Sequence, residues 1–296
     1  MNYIPKSYIQ KERSRPDWLK IKLITSGSYI RTRQLMRSQG LNTVCEEARC
    51  PNIYECWGRH TATIMILGDI CTRSCGFCSI KTGKPSSIDK GEPLRTAKAI
   101  KAMELRHVVI TSVDRDDLKE DFGAAIWAET IDTVRQLTPD CTIEVLTPDF
   151  RNYALAYEKV FRARPNIFSH NIECVQRISK QIRPQSSWNR SLAILQASVK
   201  WGLETKTGMM VGLGENDSEV LYTMQKMVDL GIKIFNIGQY LQPTLNHLPV
   251  QRFVHPDIFD IYKEKGLEMG FRVVESGPLV RSSYHADEQA LKLQGD

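Results

Sequence analysis

The chain has 296 residues, 42% of them hydrophobic, which is enough for one large domain or two ordinary ones around a sizeable core. No apolar run approaches the ~18 to 20 residues needed to cross a bilayer, so a spanning helix is excluded and no membrane partner is expected. The net charge of +6 is uneven: residues 1 to 40 hold nine Lys or Arg against two Asp or Glu, and the other 256 hold 31 against 32. The basic excess therefore lies in an N-terminal arm, which fits an acidic partner as well as a solvated helix face. No Lys or Arg run is dense enough to name nucleic acid, and none is expected. The opening Met1-Asn-Tyr-Ile-Pro-Lys6 has no apolar h-region, which gives the expectation of a cytoplasmic protein in a reducing compartment.

Six of the eight cysteines lie between positions 45 and 78. Cys45, Cys50 and Cys56 form a C-x4-C-x5-C set, and Cys71, Cys75 and Cys78 form C-x3-C-x2-C. Each is a triad with no fourth thiol close by. Structural zinc takes four protein ligands, and an electron-transfer iron-sulfur cluster usually has four cysteines. Three thiolates on a cubane of four irons leave one iron open to a small molecule.

A strand is expected over Thr61 to Leu67, followed by His107 to Val113, Thr142 to Leu146, Ile167 to Ile172, Thr205 to Leu213 and Ile234 to Leu241. Most are short, apolar and β-branched, as buried parallel strands are. The clearest helix follows Asn216-Asp217-Ser218 and spaces Val220, Leu221, Met224, Met227, Val228 and Leu230 before Gly231 stops it; its methionines are core packing. Strand starts about 25 to 45 residues apart leave room for crossover helices and predict a parallel barrel. A seventh candidate strand, Phe271 to Glu275, is expected to lead the C-terminal segment back to the barrel mouth. Cys141 precedes a strand and is expected as a packed thiol at the end of the barrel opposite the clusters, whereas Cys174 begins a helix at the correct end. His60, His107, His170, His247, His255 and His285 have no ligand-spaced neighbours, which favours ordinary structural roles.

The C-x3-C-x2-C spacing, with Phe77 just before its last cysteine, resembles the signature of radical S-adenosylmethionine enzymes. With the C-x4-C-x5-C set ahead of it and Arg281-Ser282-Ser283-Tyr284 near the C-terminus, the chain resembles the lipoyl synthases. Further matches are Pro16 to Lys20, Thr111 to Asp117, His170 to Glu173, Gly212 to Glu215 and Gln239 to Pro243. The resemblance implies an α/β fold, a partial (β/α)6 TIM-type barrel with N-terminal and C-terminal extensions over its mouth. The corresponding segments are 1–60, 61–269 and 270–296.

It also implies two 4Fe-4S clusters and S-adenosyl-L-methionine. Cys71, Cys75 and Cys78 would hold the cluster that cleaves the nucleotide. Cys45, Cys50 and Cys56 would hold the other, with Ser283 as fourth ligand. A serine oxygen is harder and less suited to iron in a sulfide cluster than a thiolate, which fits a cluster meant to be taken apart. The implied reaction inserts two sulfur atoms at C6 and C8 of a protein-bound octanoyl-lysine, with that cluster as sulfur donor. Implied partners are octanoylated carrier domains of the pyruvate dehydrogenase E2 and glycine cleavage H protein types, a flavodoxin- or ferredoxin-type electron donor and an iron-sulfur carrier protein. The acidity of such carrier domains gives the basic arm a partner by electrostatic steering.

In a parallel barrel the chemistry sits at the C-terminal strand ends, where Cys71, Ser112, Asp114, Glu173 and Gly212 all fall. For an adenosine, Phe77 borders the base, Glu173 or Asp114 accepts from the ribose, and Gly212 keeps a side chain out of the nucleotide's path. Arg183 either counters the methionine carboxylate or forms a surface salt bridge. After Leu118, where many lipoyl synthases have an acidic residue and two glycines, this chain reads Lys119-Glu120-Asp121-Phe122-Gly123, so a different turn is expected. Two other readings stay open at this level: another sulfur-inserting radical enzyme, of the tRNA methylthiotransferase or biotin synthase type, and a non-catalytic iron-sulfur scaffold.

Overall fold

The computed structural model describes residues 15–20, 27–47, 50–58 and 63–294. Helix α1 (Gly27–Ser38), strand β1 (Asn42–Thr43) and helices α2 (Val44–Glu47) and α3 (Ile53–Gly58) precede the barrel. Strand β2 (Thr63–Ile66) opens it, and the loop beyond is pinned by a parallel ladder of β3 (Ile70–Cys71) and β4 (Lys81–Thr82). Then follow α4 (Glu92–Ala102), β5 (His107–Ser112), α5 (Ala124–Leu137), β6 (Thr142–Leu146), α6 (Ala154–Arg162) and β7 (Ile167–Ser169). The chain continues through α7 (Gln176–Ile182), α8 (Trp188–Lys200), β8 (Thr205–Val211), α9 (Asp217–Asp229), β9 (Ile234–Gln239), α10 (Pro256–Met269), β10 (Val273–Gly277) and α11 (Ala286–Gln294).

The sheet order is β1-β2-β5-β6-β7-β8-β9-β10, parallel throughout except for β1, which runs antiparallel to β2. Its two edge strands do not pair, so the barrel stays open, as the partial-barrel expectation requires. Every expected strand is present, although Ile167 to Ile172 shortens to β7 and the seventh falls two residues late. Positions 61 and 62 of the first candidate, and His60, lie outside the described residues.

Alternation along the strands sorts the two faces. Ile64, Ile66, Val108, Ile110, Ile143 and Val145 meet helix residues such as Ile100, Trp127 and Ile131 in one buried core. Met36, Leu41, Cys45 and Trp57 join the same core, so the segment ahead of the barrel packs on it. Helix α9 starts as expected: the Asn216 side chain accepts from Glu219 N at 2.9 Å, and the Glu219 carboxylate accepts from Asn216 N at 3.0 Å. Val220, Met224 and Met227 of this helix are buried. The 119–123 turn is closed by Asp121, whose carboxylate accepts from Gly123 N and Ala125 N at 3.0 Å each. Among the described residues no helix is long and apolar enough to cross a membrane.

The expectation that the C-terminal extension covers the barrel mouth is corrected. After β10 the chain turns back along β9. Gln239 N donates to Pro278 O at 3.3 Å, and Asn236 Nδ2 donates to Ser282 O at 2.9 Å, nearer the start of that strand. Ala290 of α11 then packs on Ile167, Ile234 and Val273, the first residues of β7, β9 and β10. The extension therefore closes the floor of the barrel, where apolar strand starts would otherwise face water. A Cβ at Gly238 would overlap the Val280 carbonyl oxygen, so glycine is what lets this segment lie against β9.

Candidate metal centres

The first triad lies on the loop that leaves the C-terminal end of β2. Gly83 N donates to Cys71 O at 3.0 Å, Gly76 N to Ile182 O at 2.8 Å and Leu248 N to Gly76 O at 3.0 Å; His247 Nε2 lies 3.0 Å from Cys78 O. A Cβ at Gly76 would strike the Leu248 side chain. Beneath the loop sits Arg73, 3% exposed, with two contacts of 2.8 Å to Asp116, one of 2.6 Å to Asp149 and one of 3.2 Å to Asp114. Backbone N–H groups of Arg73 and Asp114 both donate to Cys71 Sγ at 3.4 Å, an arrangement that favours a thiolate.

Burial pushes the Cys71 thiol up to about 11, helped by the Asp114 carboxylate, and pushes Cys75 up to about 12; Cys78 is raised by burial as well. Thiols in this setting keep their protons until a cation takes their place. Cys75 feels the Arg183 guanidinium and, like Cys78, the carboxylates of Asp114 and Glu173. The fold thus gathers Asp114 and Glu173, from beyond the ends of β5 and β7, and Arg183, from the end of α7, around the triad.

Arg183 is 5% exposed and donates to Ile172 O at 3.2 Å and Ser191 Oγ at 3.4 Å, which corrects the surface salt-bridge alternative. Glu173 sits at φ 68° in a parallel bridge to Met209; burial raises its carboxyl and Arg183 lowers it. Asp114 also lies 3.8 Å from the Cys71 sulfur. The Ser112 hydroxyl donates to Val113 O at 2.8 Å, and Phe77 packs at the edge of the core built on α7, β8 and α9. Gly212 directly follows the last residue of β8. At φ 97°, a Cβ there would overlap the Gln239 amide nitrogen and the Arg252 carbonyl, so the glycine makes room for the protein itself.

The second triad surrounds a cavity of about 440 Å³, counting its open mouth, lined by Cys45, Cys50, Cys56, Thr63, Arg281 and Ser283 among others. The two serines of the C-terminal motif part company here. Ser283 Oγ lines the cavity and accepts from Thr63 Oγ1 at 2.6 Å, whereas Ser282 Oγ accepts from Asn171 Nδ2 at 2.6 Å. The approach of the two chain ends is held by Asn52 Nδ2 donating to Leu279 O at 2.8 Å and by Tyr284 OH, 3.2 Å from the Glu55 carboxylate. Burial, then the neighbouring Cys50, pushes the Cys45 thiol up to about 12.

Thr63 and His107 are strand-starting residues, which places this cavity toward the floor of the barrel and the first triad at its mouth. Thr63 pairs with Val109, and Asp114, which touches Cys71, lies five residues further along that chain, about 16 Å at ~3.3 Å per residue. The expectation that Cys141 lies opposite both clusters is corrected in consequence: it shares the floor end with the second triad. It packs in the outer core, as Cys174 does in the core of the other half. His107, expected only to be structural, is 6% exposed and forms part of the cavity wall.

The donor chemistry fits iron-sulfur clusters. Among the described residues, which include all eight cysteines, no disulfide forms, and no three His, Cys, Asp or Glu side chains converge on a point as a single ion would require. The thiols of the second triad instead line a volume. The carbonyl oxygens of the Asn171 and Asn236 side chains, whose amide nitrogens donate to Ser282, are buried without hydrogen-bond partners, which leaves two acceptors for a polar ligand.

Residues 65–227 match the model of the radical SAM superfamily, and residues 5–50 match the model of the N-terminal domain of lipoyl synthase. A lipoyl synthase of Rubrobacter xylanophilus is 52% identical over 97% of this chain and 90% of its own length. The chain belongs to the lipoyl synthase family. The mitochondrial lipoyl synthase of Nematostella vectensis is 46% identical over 97% of this chain and 99% of its own. As a lipoyl synthase the chain is a sulfurtransferase of the radical type that works with S-adenosylmethionine and 4Fe-4S clusters. Two solved structures share the fold. A methylornithine synthase has a TM-score of 0.55 at 13% identity, covering 83% of this chain and 82% of its own. Streptococcus suis SuiB bound to S-adenosylmethionine has a TM-score of 0.58 at 11% identity, covering 84% of this chain and 61% of its own.

Proposed function

We propose that the lipoyl synthase activity of this chain inserts two sulfur atoms at C6 and C8 of an octanoyl-lysine on a carrier domain, using the two triads in separate roles. The observation that carries this is the presence of Ser283 Oγ in the same cavity wall as Cys45, Cys50 and Cys56. These four residues would hold the cluster that supplies sulfur. Cys71, Cys75 and Cys78 would hold the other at the mouth, where an open iron and S-adenosylmethionine supply the radical that removes hydrogen from unactivated carbon. Around that site, Glu173, Asp114 and Arg183 bind the nucleotide's polar groups, Arg183 countering its carboxylate, and Phe77 borders the base. Arg73 keeps the cysteine loop in register through its three aspartates. The lumen between the centres keeps water from an acyl chain lying along it.

The segments 1–60, 61–269 and 270–296 serve respectively as cysteine-bearing extension, radical barrel and serine-bearing floor. Carrier domains of the dehydrogenase E2 and glycine cleavage H protein types, a flavodoxin- or ferredoxin-type electron donor and an iron-sulfur carrier are the partners this chemistry needs. A reducing cytoplasm is the compartment that keeps six such thiols available.

The test is the mass of an octanoyl-lysyl peptide after anaerobic incubation with reconstituted protein, S-adenosylmethionine and a low-potential reductant. Gain of two sulfurs for two hydrogens is expected. An unchanged peptide accompanied by deoxyadenosine would move the substrate elsewhere, and no deoxyadenosine from cluster-replete protein would leave a scaffold.

A further inference from the structure

Arg281 opens the motif that supplies Ser283. Arg281 lines the cavity of the second triad, and its Nη1 donates to Val280 O at 2.6 Å. Among the described residues no carboxylate lies within ion-pair distance of it, although Asp287 belongs to the same wall. A half-buried guanidinium in a cavity wall with no carboxylate beside it is best matched by an anion in that cavity. Three thiolates and a serine oxygen on a cluster supply that anion. Arginine suits the place better than lysine, because its planar fork carries five donors and the Val280 carbonyl occupies one.

We propose that Arg281 is a positioning residue of the second centre, compensating its negative charge and donating N–H groups to its sulfur from the cavity wall. The inference rests on the proposed role of the second triad. Net charge and hydrogen bonds to sulfur set the potentials of such clusters, so Arg281 holds the reduced form at a higher potential than the ligands alone would.

The test uses the full chain with Cys71, Cys75 and Cys78 all replaced by Ala, so that the second centre is observed alone. Its iron content and its potential, followed by electron paramagnetic resonance, are compared between this parent, R281K and R281Q. The expected result is equal iron in all three, a clear negative shift of the potential in R281Q and a smaller one in R281K. An unchanged potential in R281Q overturns the proposal, as does an equal loss of cluster from R281K and R281Q, since the lysine keeps the charge. A parent that binds no iron overturns the reading of the second triad itself, and this inference with it.

Discussion

Cys71 shows how much a single sulfur is prepared by its backbone. Two N–H groups point at it, and both come from residues tied to the Arg73 cluster. Replacing Cys71 by Ala is expected to abolish deoxyadenosine formation, read by chromatography of S-adenosylmethionine digests; retained formation would sink the assignment of that triad. Arg73→Lys keeps the charge but not the fork, and should lower cluster affinity by roughly 10- to 100-fold, as loss of supporting contacts to metal ligands does. Iron per chain against chelator concentration would show it. His170, behind the same network, is pushed down to about 4 by burial and then by the nearby Arg183. Unfolded, such a histidine titrates near 6.5, so the unfolded chain takes up its proton first as pH falls. The stabilisation is full above that value and is lost progressively down to about 4, a change of about 3 kcal/mol. The urea midpoint should fall across that window, and His170→Gln should flatten the profile.

At the scale of elements, the two chain ends decide the second centre. Short helices α2 and α3 carry Cys45 and Cys56, with Cys50 between them, and the segment between β10 and α11 brings Ser283 to them only because Gly238 lets it lie on β9. Gly238→Ala should lift this segment. Iron content is expected to fall toward half, deoxyadenosine formation to persist and sulfur insertion to be lost. Loss of both activities together would mean that the barrel, not the segment, had been disturbed. The existence of each strand and of α9 was legible because apolar period and capping residues act locally. The end of Ile167 to Ile172 was not, because Asn171 turns its side chain to Ser282, more than a hundred residues away.

Over the whole molecule the two triads lie toward opposite ends of the barrel strands, and the surplus of basic residues lies at the N-terminal end of the sequence. Raising ionic strength from about 0.01 M to about 0.15 M shortens the screening length from ~30 to ~8 Å. The KM for an acidic carrier domain should therefore rise, while that for a short neutral octanoyl peptide stays within about twofold; equal responses would remove the arm from recognition. The sequence by itself determined the family: two incomplete cysteine sets, their spacing and the terminal Arg-Ser-Ser-Tyr motif carry the resemblance to the lipoyl synthases, because residue type and separation are local properties. It also determined the parallel strands, whose apolar β-branched runs read the same in any context. Only the tertiary structure decided which end of the barrel each triad occupies, that the C-terminal segment forms a floor, that Gly212 yields to Gln239, that Arg73 sits among three aspartates beneath the first triad, and that His107 and Arg281 line the cavity at the second. Those facts depend on contacts between residues far apart in the chain, and side-chain direction at such contacts is set by packing that no local pattern records.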